Sequence, residues 1–204
     1  DLDGTLVKKY WIEKFWIEGI PIIYSKNHKI NFEAAEKIVT KEYERISNKS
    51  IDWYNIKFWC EKFKLDYEEV ENVLMKYLYR VEVYSDTKVL DKLKKRFKLI
   101  ITSLAPFEIL NFLVRKYFER KFYRIFSLTR VNKFKDFDGY KYVLSNLKVN
   151  SDQIVHIGDN YKFDFITPRK IGIRSFLLNR SCYKLRSFFV VRNLLEFYEK
   201  INKI

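Results

Sequence analysis

From about residue 84 onward the chain alternates between two hydrophobic periods. Val89, Leu90 and Leu93 recur at helical spacing, and Asp86 stands where it can cap a helix running to about Lys95. LIIT (99–102) follows, a short apolar run of the kind that forms a strand buried on both faces of a parallel sheet. Pro106 then opens a second helical stretch, with Ile109, Leu110, Leu113 and Val114 on one face. FYRIF (122–126) reads as a strand and YKYVLSNL (140–147) as a helix behind Asp136 or Asp138. IVHI (154–157) is a third apolar strand, ending directly in Gly158-Asp159. A loop with a short helix, a strand RSFLL (174–178) and a last helix near 188–202 complete the pattern. Repeated β-α-β units predict an open parallel sheet with helices on both faces.

Residues 10–83 carry no strand pattern. An amphipathic helix spans 31–47 behind the capping Asn31, and a second starts at Asp52 with Trp53, Ile56, Trp59 and Phe63 along one face. A third covers 66–81, capped by Asp66, with Glu68 and Glu69 in the first turn where they suit the helix dipole. This region reads as a helical insertion between 1–9 and 84–204, its aromatic stripe forming core rather than a cofactor site.

A length of 204 residues suits one domain, or one with a smaller domain inserted. With 48% hydrophobic and 32% charged residues the composition is globular, and 5 Gly with 3 Pro favours long helices joined by tight connections. The net charge of +14 raises the question of a nucleic-acid partner. The positive residues are dispersed, however, with KKRFK (94–98) the densest stretch, and that pattern favours solvated helix faces. Cys60 and Cys182 are too few for a disulfide framework and lack metal-ligand spacing, so both read as buried residues of a reducing compartment. No apolar run approaches the ~18 residues of a membrane span, and the start lacks a signal-peptide pattern. A cytoplasmic protein is expected.

Four places combine the residue types that phosphoryl transfer requires. In DLDGTL (1–6), Asp1 and Asp3 are spaced so that one carboxylate can meet phosphorus and the other the leaving oxygen. Thr102-Ser103 closes the strand LIIT, where a hydroxyl can bind a phosphate oxygen. Lys133 and Lys135 lie between a strand and a helix, and either can neutralise the nucleophile and phosphate. In GDNYKFD (158–164), Asp159 and Asp164 supply hard oxygen ligands suited to Mg²⁺. His156, inside an apolar strand, reads as a hydrogen-bonded core residue, and His28 sits in a polar loop.

In this order and spacing the four segments resemble the signature motifs of the haloacid dehalogenase superfamily. DLDGTL matches its D-x-D-G-T motif, LIITS its hydrophobic strand ending in Thr or Ser, and GDNYKFD the GD-x-x-x-x-D form of its last motif. The resemblance is close over 1–9 and 84–180. It implies a Rossmann-like parallel-sheet core with an inserted all-helical cap at 10–83, and a Mg²⁺-dependent phosphatase acting on a small phosphorylated metabolite. Asp1 would be the nucleophile, Asp3 the general acid and base, and Thr102 a ligand of a phosphate oxygen. Mg²⁺ would lie among the Asp1 carboxylate, the Asp3 carbonyl and Asp159, with Asp164 orienting the metal shell. Tyr10, Trp11, Phe15 and Trp16, together with Lys8 and Lys9, are candidates for substrate contact from the cap.

The chain departs from the family pattern in three places. The first motif normally ends a buried apolar strand, and the sequence starts at the motif itself, so a first core strand is expected to be missing from it. VNKFKDFD (131–138) lacks the usual Lys-Pro, and spacing does not choose between Lys133 and Lys135. Ser103 stands where the family often has Asn. The rival readings are a dehalogenase, disfavoured by Asp3, a phosphomutase or phosphotransferase on the same fold, and a basic binding protein that has lost catalysis.

Overall fold

The computed structural model describes residues 1–46, 50–181 and 187–203. The chain divides into two compact units, one formed by Asp1–Lys8 with Val83–Ile204 and the other by Lys9–Glu82.

The second unit is helical. Its first helix, α1 (Tyr10–Lys14), runs through a π-helical turn at Phe15–Gly19 into α2 (Ile20–His28). The sequence pattern does not reveal this helix, because Gly19 and Pro21 interrupt it. A proline ring clashes with the carbonyl four residues back, here Ile17, and the wider π turn accommodates it. Next come α3 (Phe32–Ile46), α4 (Ile56–Phe63) and α5 (Tyr67–Leu78). The Asn31 side chain accepts from Ala34 N–H, as its capping role predicts, and Ser47 lies outside the described residues. Asp52 does not start α4. It falls in a 3-10 turn at Ile51–Tyr54, and the Asn55 side chain caps α4 by accepting from the Lys57 and Phe58 N–H groups. Asp66 caps α5 through Glu69 N–H. Trp59 is fully buried, stacked on Phe63 at 5.3 Å between ring centres, with its indole N–H donating to the Trp53 carbonyl at 3.0 Å. The aromatic stripe is therefore core. Phe15 is also fully buried, which removes it from the candidates for substrate contact, whereas Tyr10 is exposed. Cys60 is buried among these helices, and Cys182 lies outside the described residues.

The first unit is α/β with parallel sheets, a Rossmann-like core. After a 3-10 turn at Ser85–Val89, the order is α6 (Leu90–Leu93), β1 (Ile100–Ser103), α7 (Phe107–Tyr117), β2 (Arg124–Ser127), α8 (Phe137–Leu147) and β3 (Val155–Gly158). A π-helical turn (Tyr161–Ile166) leads into α9 (Thr167–Lys170), then β4 (Arg174–Leu178), β5 (Val190–Val191) and α10 (Leu194–Ile201). Among the described residues β1 pairs with β2 in one parallel sheet, and β3, β4 and β5 form another in that order. Among the described residues the first motif forms isolated bridges, Asp3 with Val7 and Val7 with Val83. No helix among the described residues is long and apolar enough to cross a membrane.

Three elements differ from expectation for local reasons. The helix expected over 86–95 is a 3-10 turn and one short α-turn, because the Asp86 carboxylate is engaged by Arg180 and by Leu194 N–H rather than capping its own segment. The second strand begins at Arg124 rather than Phe122, after a turn in which Arg120 has φ +58°. The last helix begins at Leu194, because Val190–Val191 pair with β4 and the Asn193 side chain caps the helix through Glu196 N–H.

Candidate active site

The first motif folds into a tight loop around one carbonyl. Thr5, Leu6 and Val7 N–H groups all donate to the Leu2 carbonyl, and Gly4 N–H donates to Val7. Gly4 adopts φ +77°, a conformation that costs glycine little and other residues much. The loop thus turns back on itself, and the Thr5 hydroxyl donates to Asp1 Oδ2 at 2.9 Å. The start of the chain lies against β3, with the Asp1 amino group donating to the Ile157 carbonyl at 3.2 Å.

β3 ends in Gly158, and Asp159 follows it at the carboxyl end of the strand, where open parallel sheets place their ligands. The chain then enters the π-helical turn, whose Asn160 cap accepts from Lys162 and Phe163 N–H. This turn carries Asp164 back over Gly158. A Cβ on Gly158 would stand 2.2 Å from Asp164 Cγ, so only glycine permits the approach. Asp164 is 1% exposed, and its two oxygens are heavily engaged. Oδ1 meets Lys135 Nζ at 2.5 Å and His156 Nε2 at 2.7 Å, while Oδ2 accepts from Asn160 N–H at 3.1 Å.

Lys135 bridges two acids, with its ammonium donating to Asp1 Oδ1 at 2.7 Å as well. Burial is the largest single influence and works against its charge, but Asp164, Tyr140 and Asp159 together outweigh it and the lysine pKa is raised. Burial likewise disfavours the Asp164 carboxylate, yet Lys135 and the His156 hydrogen bond hold its pKa far below the ordinary range. The pair stays ionised because each partner is the other's main support. Lys133 is not brought to the site. Its ammonium lies over the Tyr142 ring, 5.8 Å from the ring centre, and its backbone N–H ties back to the Leu128 carbonyl. A single residue, Phe134, separates the two lysines, and of the pair it is Lys135 that faces the acids.

His156 was expected in the core, and it is buried there, but it also supports the site. The Tyr140 hydroxyl donates to the Phe163 carbonyl at 2.8 Å, so its oxygen accepts from His156 Nε2 at 3.1 Å. The ring is thereby held with the proton on Nε2, which donates to Asp164. Burial pulls the His156 pKa down to about 4, so the ring is neutral at pH 7. A signal for this existed in the sequence. His156 and Gly158 are two apart on one strand and face the same side, the side on which Asp164 packs.

Thr102 and Ser103 lie buried at the carboxyl end of β1. The Ser103 hydroxyl accepts from Ala105 N–H at 3.0 Å, and its carbonyl accepts from Leu128 N–H, which fixes the turn after the strand. Asp3 is half-buried in the first loop. Ligand atoms of Asp1, Asp159 and Asp164 lie within 4.8 Å of one another, a spacing that could hold one metal ion. The set is all carboxylate oxygen, which fits a hard cation such as Mg²⁺.

The model of the family described as haloacid dehalogenase-like hydrolase matches residues 1–178. One curated relative, the haloacid dehalogenase-like hydrolase domain-containing protein 3 of Danio rerio, is 42% identical over 41 residues. That stretch is 20% of this chain and 17% of the relative, so the alignment spans only about a sixth of the relative's length. Among solved structures, the chain is similar to a HAD phosphatase from Thermococcus onnurineus, with a TM-score of 0.83 at 22% identity, covering 98% of this chain and 95% of that one. It is also similar to a 2-haloacid dehalogenase from Pseudomonas syringae pv. Tomato DC3000, with a TM-score of 0.68 at 17% identity over 100% and 96% of the two chains. The putative HAD-hydrolase YfnB from Bacillus subtilis, bound to magnesium, gives a TM-score of 0.67 at 15% identity over 99% and 96%. At such identities these structures establish the fold, a Rossmann-like core with a helical cap. The family match over most of the chain goes further: this chain belongs to the haloacid dehalogenase-like hydrolase family.

Proposed function

We propose that the chain is a Mg²⁺-dependent phosphatase that hydrolyses a small phosphorylated metabolite, such as a phosphoglycolate, sugar phosphate or nucleotide, through an aspartyl-phosphate on Asp1. The observation that carries this reading is the convergence of Asp1, Asp159 and Asp164 beside the Lys135 ammonium, with a second carboxylate, Asp3, two residues after the first. A nucleophilic carboxylate alone would suit halide displacement. Asp3 adds what a phosphate ester needs, a proton donor for the departing alkoxide.

In the first step Asp1 attacks phosphorus, the bond from phosphorus to the ester oxygen breaks, and Asp3 gives its proton to that oxygen. Asp3, now a carboxylate, takes a proton from water as the water oxygen attacks phosphorus. The bond from Asp1 to phosphorus breaks, returning the Asp1 carboxylate and inorganic phosphate. Thr5 and Lys135 hold the two oxygens of Asp1 in a fixed orientation, so little ordering remains to be done at the moment of attack. Thr102, at the end of β1, is the candidate for binding a phosphate oxygen. Asp1 and Asp159 would hold Mg²⁺ together with the Asp3 carbonyl, and Asp164 would orient the metal shell. A bound Mg²⁺ would supply charge neutralisation for the phosphate oxygens. The net charge of +14 favours anionic substrates at long range.

The test is phosphate release from p-nitrophenyl phosphate and a metabolite panel, with Mg²⁺ and with EDTA. Release that needs Mg²⁺, disappears in Asp1→Asn and falls about 10²–10⁴-fold in Asp3→Asn is expected. Halide release from 2-haloacids with no phosphate release would overturn the reading. Transfer of phosphate to a second metabolite in place of its release would identify a phosphotransferase.

A further inference from the structure

Arg180 stands two residues beyond β4, a position to which neither the motifs nor the mechanism above gives a task. Its guanidinium is nonetheless committed. Nε donates to the Gly4 carbonyl at 3.3 Å, and one terminal nitrogen donates to the Thr5 carbonyl at 2.8 Å. Both terminal nitrogens also grip the Asp86 carboxylate, at 2.9 and 3.1 Å. The plane stacks on the Tyr84 ring, 3.6 Å from its centre. Asp86 in turn accepts from Leu194 N–H, at the start of α10, at 2.7 Å, and Tyr84 N–H donates to the Leu6 carbonyl at 3.1 Å. One side chain, only 20% exposed, thus ties the nucleophile loop to the segment after Val83 and to α10.

The loop's own hydrogen bonds converge inward on the Leu2 carbonyl, and Arg180 takes the Gly4 and Thr5 carbonyls from outside. Thr5 is the residue whose hydroxyl orients Asp1 Oδ2. We propose that Arg180 is a positioning residue for the nucleophile, acting through the Gly4–Thr5 backbone with Asp86 as its anchor. The inference rests on the phosphatase reading in taking Asp1 as nucleophile. A planar fork is required because the site asks for two carbonyl bonds, a bidentate carboxylate and a stacked face at once. A lysine ammonium offers a single point charge and cannot meet these demands together.

The test compares the full chain with Arg180→Lys, Arg180→Ala and Asp86→Asn by hydrogen exchange of residues 2–7 and by kcat for p-nitrophenyl phosphate. Amides of residues 2–7 are expected to exchange at least about tenfold faster in Arg180→Lys, while those of β3 keep their wild-type rate. Loss of alignment at Asp1 is expected to lower kcat about 10–100-fold, with KM changed less than about twofold. Millimolar guanidinium should restore part of kcat in Arg180→Ala, and Asp86→Asn should shift both readouts the same way by less. A folded variant with exchange and kcat within about twofold of wild type overturns the inference. If no variant folds, the clamp is a folding element and the inference is likewise overturned. If wild type releases no phosphate, the phosphatase reading fails while the exchange of residues 2–7 still decides the role of Arg180.

Discussion

His156 makes the stability of the α/β unit depend on pH in a calculable way. Burial pulls its pKa from 6.5 down to about 4. Between those values the unfolded chain binds a proton that the folded chain refuses, so folding weakens as pH falls and recovers as it rises. The full contribution is present above pH 6.5 and is lost progressively towards pH 4. At up to 1.36 kcal/mol per pH unit between the two values, a fall from pH 7 to 4.5 removes about 2 kcal/mol, a sizeable fraction of a typical domain's stability. The comparison is His156→Gln, whose amide N–H can take the place of Nε2–H toward Asp164 but does not titrate. Urea unfolding of both proteins at pH 7, 6, 5 and 4.5 provides the readout. All four tryptophans, at 11, 16, 53 and 59, lie in the helical unit, so fluorescence follows that unit and far-UV circular dichroism follows both. Wild type is expected to lose about 2 kcal/mol more than His156→Gln across the range, because the acids that titrate below pH 5 are common to both. Parallel stability profiles for the two proteins would refute the reasoning.

Two further perturbations test packing. Gly158→Ala would place a methyl group 2.2 Å from Asp164 Cγ. It is expected to destabilise the α/β unit by about 1–3 kcal/mol and to weaken Mg²⁺ binding, as read by urea unfolding and by calorimetric Mg²⁺ titration. Trp59→Ala removes a fully buried indole and its hydrogen bond to Trp53. A loss of about 3–5 kcal/mol is expected, read from the fluorescence of the three remaining tryptophans during unfolding.

Much of the core was legible in the sequence because its strands are apolar runs bounded by polar residues. LIIT, IVHI and RSFLL correspond to β1, β3 and β4 with shifts of at most one residue at either end. A two-residue strand such as β5 carries no periodicity and was missed. The helix at 10–28 was missed because a glycine and a proline inside it read as breakers, while a π turn absorbs them. At the site, Asp1, Asp159 and Asp164 follow from motif spacing alone. The choice of Lys135 over Lys133 does not, since it depends on which lysine the loop turns toward two distant acids. Tyr140 and Arg180 were invisible for the same reason. Each acts across a large separation in sequence, Tyr140 on a residue 16 positions away and Arg180 on carbonyls 175 and 176 positions away.

The π-helical turn between Asp159 and Asp164 makes the length of that segment a functional variable. Each residue adds a fixed rotation about the axis of the turn, so removing one residue from 160–163 would swing the Asp164 carboxylate away from Gly158. The lysine and histidine that depend on it would then face a hole. A substitution at 161–163 leaves the spacing between the two acids unchanged. A single-codon deletion in the same stretch would instead disconnect the second acid from the first, and that makes this turn a counting device as much as a scaffold.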